Sequence, residues 1–297
     1  MNRPLFLLIG TGTMLGLNFP IGKLALTSGV DPALWAAVIS LGAGLAMLAI
    51  TTIFERDRKT LNSILKFATV SGFLSYVMPN FLTFAVIPKI GTGMTAIMFA
   101  LSPVVTALLS IIFRIRPPNK FGMIGIALGL AGAVVIIFGR NSGIKAGASI
   151  WLFAALLIPI FLGLGNVYRT SAWPDGASPR QLASYTNLAA VPFLVAIALL
   201  LNGSLDLQAL SKIPELIVLQ LIVSTTMFLM FFKLQQIGGP TYLSQIGYVA
   251  AAVGLLIGVT LLGESYAISV WLGAGVVAMG VIFSTLAQAS QHKLLGK

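Results

Sequence analysis

Cysteine is absent from the 297 residues, and the single histidine, His292, falls within the last six. Without thiols, and with one terminal imidazole, no zinc, haem or iron–sulfur site can be assembled inside an apolar segment, so no metal or other cofactor is expected. Acidic residues are scarce as well: there are 7, against 18 basic ones. None lies near the middle of a long apolar run: Glu215 and Glu264 sit at run ends, and Asp31, Glu55, Asp57, Asp175 and Asp206 lie between runs. A proton-coupled pump normally carries an intramembrane acid or histidine to bind its proton, and that group is missing. A lipid transferase or intramembrane protease would need a nucleophile–base pair or a metal, so an enzyme is not expected. Charged residues make up only 8% of the chain, against about 25% in a soluble domain. The net charge of +11 points to a nucleic-acid partner only if the basic residues cluster on one face, and here they are scattered among the loops.

What is present is apolar: 58% of residues, with a mean hydropathy of +1.00. Ten charge-free runs of 17 or more residues cover 4–22, 32–54, 67–88, 90–113, 121–139, 146–168, 181–205, 216–232, 234–263 and 265–292. A bilayer-spanning helix needs about 20 such residues. The chain is therefore predicted to be an all-α polytopic membrane protein with ten transmembrane helices and short loops. With the N-terminus inside, thirteen of the 18 basic residues fall on the inner side. The positive-inside rule then places both termini in the cytoplasm. The first run carries Asn18 and Pro20 and has no small-residue cleavage site before Lys23, so it is read as a span and not as a signal peptide.

Landmarks recur at half the chain length. Asn18 and Asn166 are 148 apart, Pro32 and Pro179 are 147 apart, Ile90-Gly91 and Ile237-Gly238 are 147 apart, and Gly125 with Gly132 matches Gly273 with Gly280 at 148. Asp31-Pro32 and Ser178-Pro179 each put a capping side chain before a proline at a helix start. The expected units are residues 1–143 and 144–297, five spans each. Five is odd, so the second unit enters the membrane the opposite way. Inverted repeats of this kind are characteristic of alternating-access transporters, with a site at the repeat interface; a non-transporting scaffold leaves the inversion without a purpose.

Polar residues inside spans point to a cavity or to a helix contact. The candidates for solute binding are Asn18, Tyr76, Asn80, Phe99, Ser102, Asn166, Tyr168, Gln245 and Tyr248. In the ninth span Thr241, Ser244, Gln245 and Tyr248 follow i, i+3, i+4, i+7 and are expected to form one polar stripe, either a cavity wall or a set of interhelical hydrogen bonds. The corresponding fourth-span face, with Phe99 and Ser102 nearby, is apolar and aromatic, so the pocket suits an amphipathic organic solute better than an inorganic ion. Pro20, Pro79 and Pro103 are hinge candidates because each removes a backbone hydrogen bond. The default for Lys23 and Arg169, at the ends of the first and sixth spans, is snorkelling to the interface; the alternative for both is a carboxylate or phosphate clamp at a cavity mouth. Glu264 is expected to act as a helix cap and loop anchor; the alternative is a proton-coupling site. Gly125-x3-Gly129 and Gly254-x3-Gly258 are read as helix-packing ridges.

The segment Gly16-Leu17-Asn18-Phe19-Pro20-Ile21-Gly22-Lys23 resembles the Trp-Gly-Ser-Asn-Phe…Lys segment of the drug/metabolite transporter superfamily, in its ten-helix EamA-type branch. Leu261-Leu262-Gly263-Glu264, followed by Trp271 to Gly275 and by Gly280, is similar to that family's Leu-Gly-Glu…Gly…Gly signature; the first half has Arg116-Pro117-Pro118 where Gly-Glu is common. The resemblance runs end to end. It implies a bacterial inner-membrane exporter with a cavity lined by the first, third, fourth, sixth, eighth and ninth spans. Within the branch the chain looks most like YddG-type exporters of aromatic and other neutral amino acids, acting as a monomer or weak homodimer. With no intramembrane acid, facilitated movement without proton coupling is expected. The competing substrate class is phosphorylated metabolites, for which Lys23 and Lys233 are the candidate ligands.

Overall fold

A computed structural model of the chain describes residues 3–54, 61–115, 119–138 and 148–295. The basic residues Arg56, Arg58, Lys59, Arg116, Arg140, Lys145 and Lys297, counted above for orientation, lie outside the described residues, as does the expected boundary between 143 and 144. Spans 1 and 2 are α1 (Arg3–Thr27) and α2 (Pro32–Phe54). Span 3 is α3 (Leu61–Gly72), a π-helical stretch Phe73–Val77 and α4 (Met78–Ile90); span 4 is α5 (Thr92–Phe99) and α6 (Ser102–Ile112). Spans 5, 6 and 7 are α7 (Lys120–Phe138), α8 (Ala148–Ser171) and α9 (Pro179–Asn202), followed by the short α10 (Leu207–Ser211). Span 8 and the start of span 9 form α11 (Pro214–Ser244); α12 (Ile246–Thr260) completes span 9 and α13 (Ile268–Leu295) is span 10. Among the described residues, eight of the ten spans are long and apolar enough to cross a bilayer, and shorter apolar stretches fall in the fifth and tenth.

Local chemistry explains where the helices start and turn. Asp31 Oδ1 accepts hydrogen bonds from the Ala33 and Leu34 N–H groups at 2.8 and 3.0 Å, with Pro32 at the first helical position, where its missing N–H costs nothing. Ser178 and Gln181 form a capping box ahead of span 7. Spans 3 and 4 are joined by one residue, Gly91, at φ 86°, and spans 8 and 9 turn at Gly239, at φ 71°. Both dihedrals lie in the left-handed region that glycine adopts without steric cost. The two turns are 148 residues apart.

The helix pairings respect a two-fold exchange of the halves. Span 1 packs on span 8 and span 6 on span 3; span 1 packs on span 9 and span 6 on span 4. Spans 2 with 7, 4 with 9 and 5 with 10 are their own images. Small residues set the closest of these approaches. A Cβ on Gly280 would stand 2.6 Å from Gly125 O and 2.8 Å from Gly129 N, and one on Gly254 would meet Ala96 and Phe19. The molecule is turned inside out relative to a soluble domain: Leu200, Leu261, Ile268, Ile53 and Phe153 are 70–84% exposed, as lipid contact requires. Asn18, Asn166, Gln220, Ser224 and Arg169 are buried.

Candidate transport cavity

The central cavity is walled by spans 1, 3, 4, 6, 8 and 9. Leu15 contributes from span 1; Ser75, Tyr76 and Asn80 from span 3; Phe99 and Ser102 from span 4; and Leu162, Asn166 and Arg169 from span 6. Met227, Phe228 and Phe231 line it from span 8, and Ser244, Ile246 and Gly247 from span 9. The space open to the centre of a water molecule is about 50 Å³, room for a few ordered waters. A bulky organic solute therefore needs the walls to move apart. The backbone is interrupted where that movement is needed: the π-helical stretch carries Ser75 and Tyr76, and the helix breaks at Ala100 and Leu101, between the lining residues Phe99 and Ser102. Pro79 and Pro103 each sit in the first turn of the helix that follows an interruption, whereas Pro20 lies inside the continuous α1.

A smaller pocket adjoins the first through the shared residues Leu15, Asn80, Phe99, Met227 and Phe228, and reaches Asn18, Phe19 and Thr83. Asn18 is held by span 8: its Oδ1 accepts from Ser224 Oγ at 3.2 Å and from Gln220 Nε2, and its Nδ2 donates to Met14 O at 2.7 Å. Asn166 Nδ2 donates to Thr106 Oγ1 at 3.2 Å, tying span 6 to span 4. Phe19 and Phe99 meet edge to face at 4.9 Å, and Tyr76 and Phe228 do so at 4.8 Å.

Two basic residues occupy related places in the halves and have different surroundings. Lys23 does not reach out along a lipid interface as a snorkelling side chain would. Its Nζ pairs with Glu264 Oε1 at 2.5 Å. The Glu264 carboxylate also accepts from Thr92 N at 2.8 Å, Gly93 N at 3.1 Å and Tyr266 Oη, so it caps the start of span 4 as well as anchoring its own loop. Burial alone would raise the Glu264 pKa; the hydrogen bonds from Lys23, Tyr266 and the two backbone N–H groups outweigh it and hold the group at about 2. Tyr266, half enclosed beside that carboxylate, is pushed up by desolvation and by its bond to Glu264. Arg169, by contrast, is fully buried and lines the cavity, which corrects the expectation that it snorkels. Its guanidinium donates to Asn166 Oδ1 at 2.5 Å, to Ser75 Oγ and to Gln235 Oε1 at 3.4 Å, and lies 4.8 Å over the Phe231 ring. By chain connectivity, the Lys23 and Arg169 clusters sit toward opposite membrane faces.

Comparison with known proteins decides the family. The EamA-like transporter family model matches residues 2–138 and again 149–286. The chain belongs to the EamA-like transporter family. It is a membrane transporter and not an enzyme, and its two halves are two EamA repeats. This EamA protein is 27% identical over 259 residues to the uncharacterized inner membrane transporter YedA of Escherichia coli K12, covering 86% of this chain and 82% of YedA. It is 30% identical over 138 residues to a WAT1-related protein of Arabidopsis thaliana, covering 44% of this chain and 38% of that relative. A crystal structure of a protein with 18% identity shares the fold at a TM-score of 0.66, over 96% of this chain and 97% of the other.

Within this EamA transporter, Tyr76, Asn80, Phe99, Ser102 and Asn166 converge on the central cavity, and Asn18 on its neighbour. Three of the candidates stand elsewhere. Tyr168 stacks on Phe67 at 5.8 Å, outside the cavity. Tyr248 is buried toward span 5, where a Cβ on Gly129 would lie 3.7 Å from its Oη. Gln245 is buried at the junction between α11 and α12. The ninth-span residues do not make one stripe, because the i, i+3, i+4, i+7 spacing presumes an unbroken helix and the helix is interrupted at Gln245. The Thr241 side chain lies outside the described residues. Neither Lys23 nor Lys233 lines the cavity; Lys233 Nζ donates to Gln236 Oε1 at 2.8 Å. The residues that pattern reading missed are Ser75, Phe228 and Phe231 in the wall, and Gln220 and Gln235 behind it; Arg169 enters pattern reading only through the alternative of a clamp. The two glutamines carried a usable signal, since an amide inside an apolar run is costly unless something satisfies it.

Proposed function

We propose that this EamA transporter exports aromatic and other neutral amino acids from the bacterial cytoplasm, by alternating access and down their gradient. The observation that supports this most is the make-up of the cavity wall. Tyr76, Phe99, Phe228 and Phe231 offer apolar and edge-to-face contact for a large side chain, while Asn80, Ser102 and Asn166 offer a few hydrogen-bonding groups. A cationic drug finds no acid there among the described residues, and it meets Arg169. The reading with phosphorylated metabolites held by Lys23 and Lys233 loses support, because neither lysine reaches the cavity. The same reading places the protein in the inner membrane with both termini cytoplasmic, as a monomer or weak homodimer, its repeats dividing near 143.

Movement is facilitated and not proton-coupled. Glu264, the acid nearest to a span end in the Lys23 cluster, is held ionised by four donors, so it does not exchange a proton in the working range. Counterflow in proteoliposomes tests both halves of the reading. Loading with unlabelled tryptophan or phenylalanine is expected to drive uptake of trace labelled tryptophan, with equal rates in the presence and absence of an imposed pH gradient. Counterflow only against sugar phosphate would overturn the substrate class, and accumulation driven by the pH gradient would overturn the facilitated mechanism.

A further inference from the structure

The Arg169 guanidinium is fully buried, yet the groups it meets among the described residues are neutral: Ser75 Oγ, Asn166 Oδ1, Gln235 Oε1 and the face of Phe231. An arginine does not lose its proton in a protein, and a buried charge without a counter-charge is strongly disfavoured. These bonds engage three of its five N–H donors and leave two. In the same wall Tyr76 is 4% exposed, and its Oη has no hydrogen-bond partner among the described residues. A buried hydroxyl left unsatisfied also calls for an occupant.

The other half of the molecule shows what neutralisation looks like. There Lys23 meets the Glu264 carboxylate, which is itself steadied by the Thr92 and Gly93 N–H groups. In the first half the sequence has Arg116-Pro117-Pro118 in the segment that corresponds to Gly263-Glu264, so that segment offers no acid to match Glu264.

We propose that Arg169, with Tyr76 Oη, is an oxyanion-binding site in the cavity and that the transported solute brings the missing counter-charge. On the amino-acid reading of the preceding subsection, on which this assignment of the ligand rests, the oxyanion is the α-carboxylate. The planar guanidinium, fixed by Asn166 and by the Phe231 face, presents its free N–H groups to the carboxylate, and the Tyr76 hydroxyl donates alongside. The empty carrier holds an unneutralised buried charge and the loaded carrier does not. That difference favours movement with solute over movement without it.

The experiment is counterflow of labelled tryptophan, tryptophan amide and a sugar phosphate by the wild type, Arg169→Gln and Tyr76→Phe. In the wild type, tryptophan is expected to move at least about tenfold faster than its amide, which has no carboxylate. Arg169→Gln is expected to remove that preference. Tyr76→Phe breaks no bond seen in the folded protein and is expected to raise KM several-fold for tryptophan and by less for the amide. Sugar phosphate transport that depends on Arg169, with no tryptophan transport, would keep the oxyanion site and overturn the amino-acid reading. Equal handling of tryptophan and its amide by the wild type would overturn the oxyanion site while the amino-acid reading stands. An Arg169→Gln protein that melts lower but keeps the preference would assign the arginine a purely structural role.

Discussion

Glu264→Ala is expected to destabilise the transporter by about 3 kcal/mol and to suppress counterflow. Removing one member of a buried ion pair leaves its partner uncompensated, which typically costs about 3–5 kcal/mol. The lower figure applies because the Lys23 side chain is 24% exposed. The change also orphans the Thr92 and Gly93 N–H groups at the start of span 4, so the helix that carries Phe99 loses its anchor. Melting of the purified variant beside the wild type measures the first effect, and counterflow measures the second. The pH dependence follows with a definite sign. Folding lowers the Glu264 pKa from 4.5 to about 2, so its contribution is fully present above 4.5 and is lost as pH falls through 2. The wild type is expected to lose stability relative to Glu264→Ala as the pH drops below about 4, and the gap between them is expected to be constant from about pH 5 to pH 8. A gap that changes across neutral pH would contradict the cluster as described.

Gly247→Val is expected to be the most damaging single change near the cavity. A Cβ at this position would stand 2.2 Å from the Phe99 carbonyl oxygen and 2.9 Å from its carbon, both backbone atoms that no side-chain rotation can move aside. Span 9 would have to part from span 4 at the point where span 4 breaks, carrying the Phe99 ring away from Phe19. Overpacking of this kind costs about 3 kcal/mol or more when the backbone must shift. Loss of monodisperse protein and of counterflow is expected. Gly275→Ala is the matched control: a Cβ there meets nothing within 4 Å, and wild-type melting is expected. A Gly247→Val protein that melts like the wild type would show that the crossing of spans 4 and 9 is not as close as described.

The architecture was legible because it rests on coarse physics. Charge-free runs locate spans whatever their neighbours are, and the 148-residue spacing of Asn18 and Asn166 exposed the repeat without any contact being known. The caps at Asp31 and Ser178 were local and equally visible. The site was harder to read because its groups meet across spans. Arg169 sits at a helix end, where local rules say it snorkels; what turns it inward is Ser75, 94 residues away, and Gln235, 66 residues away. Its neighbour Tyr168 has the attractive chemistry, but successive helical residues point about 100° apart. With Arg169 facing the cavity, Tyr168 is turned to Phe67. The ninth-span stripe failed for a related reason, since periodicity assumes a continuous helix and the interruption at Gln245 changes the phase.

The central claim is that the cavity between spans 1, 3, 4, 6, 8 and 9 is the path of the solute. The chain contains no cysteine, so one introduced thiol reports from one place. Ser102→Cys, a near-isosteric change in the cavity wall, is expected to keep counterflow, to lose it on treatment with a small membrane-permeant thiol reagent, and to be protected in a graded way by added tryptophan. Full modification of Cys at this position with transport unimpaired, at every tryptophan concentration, would contradict the account.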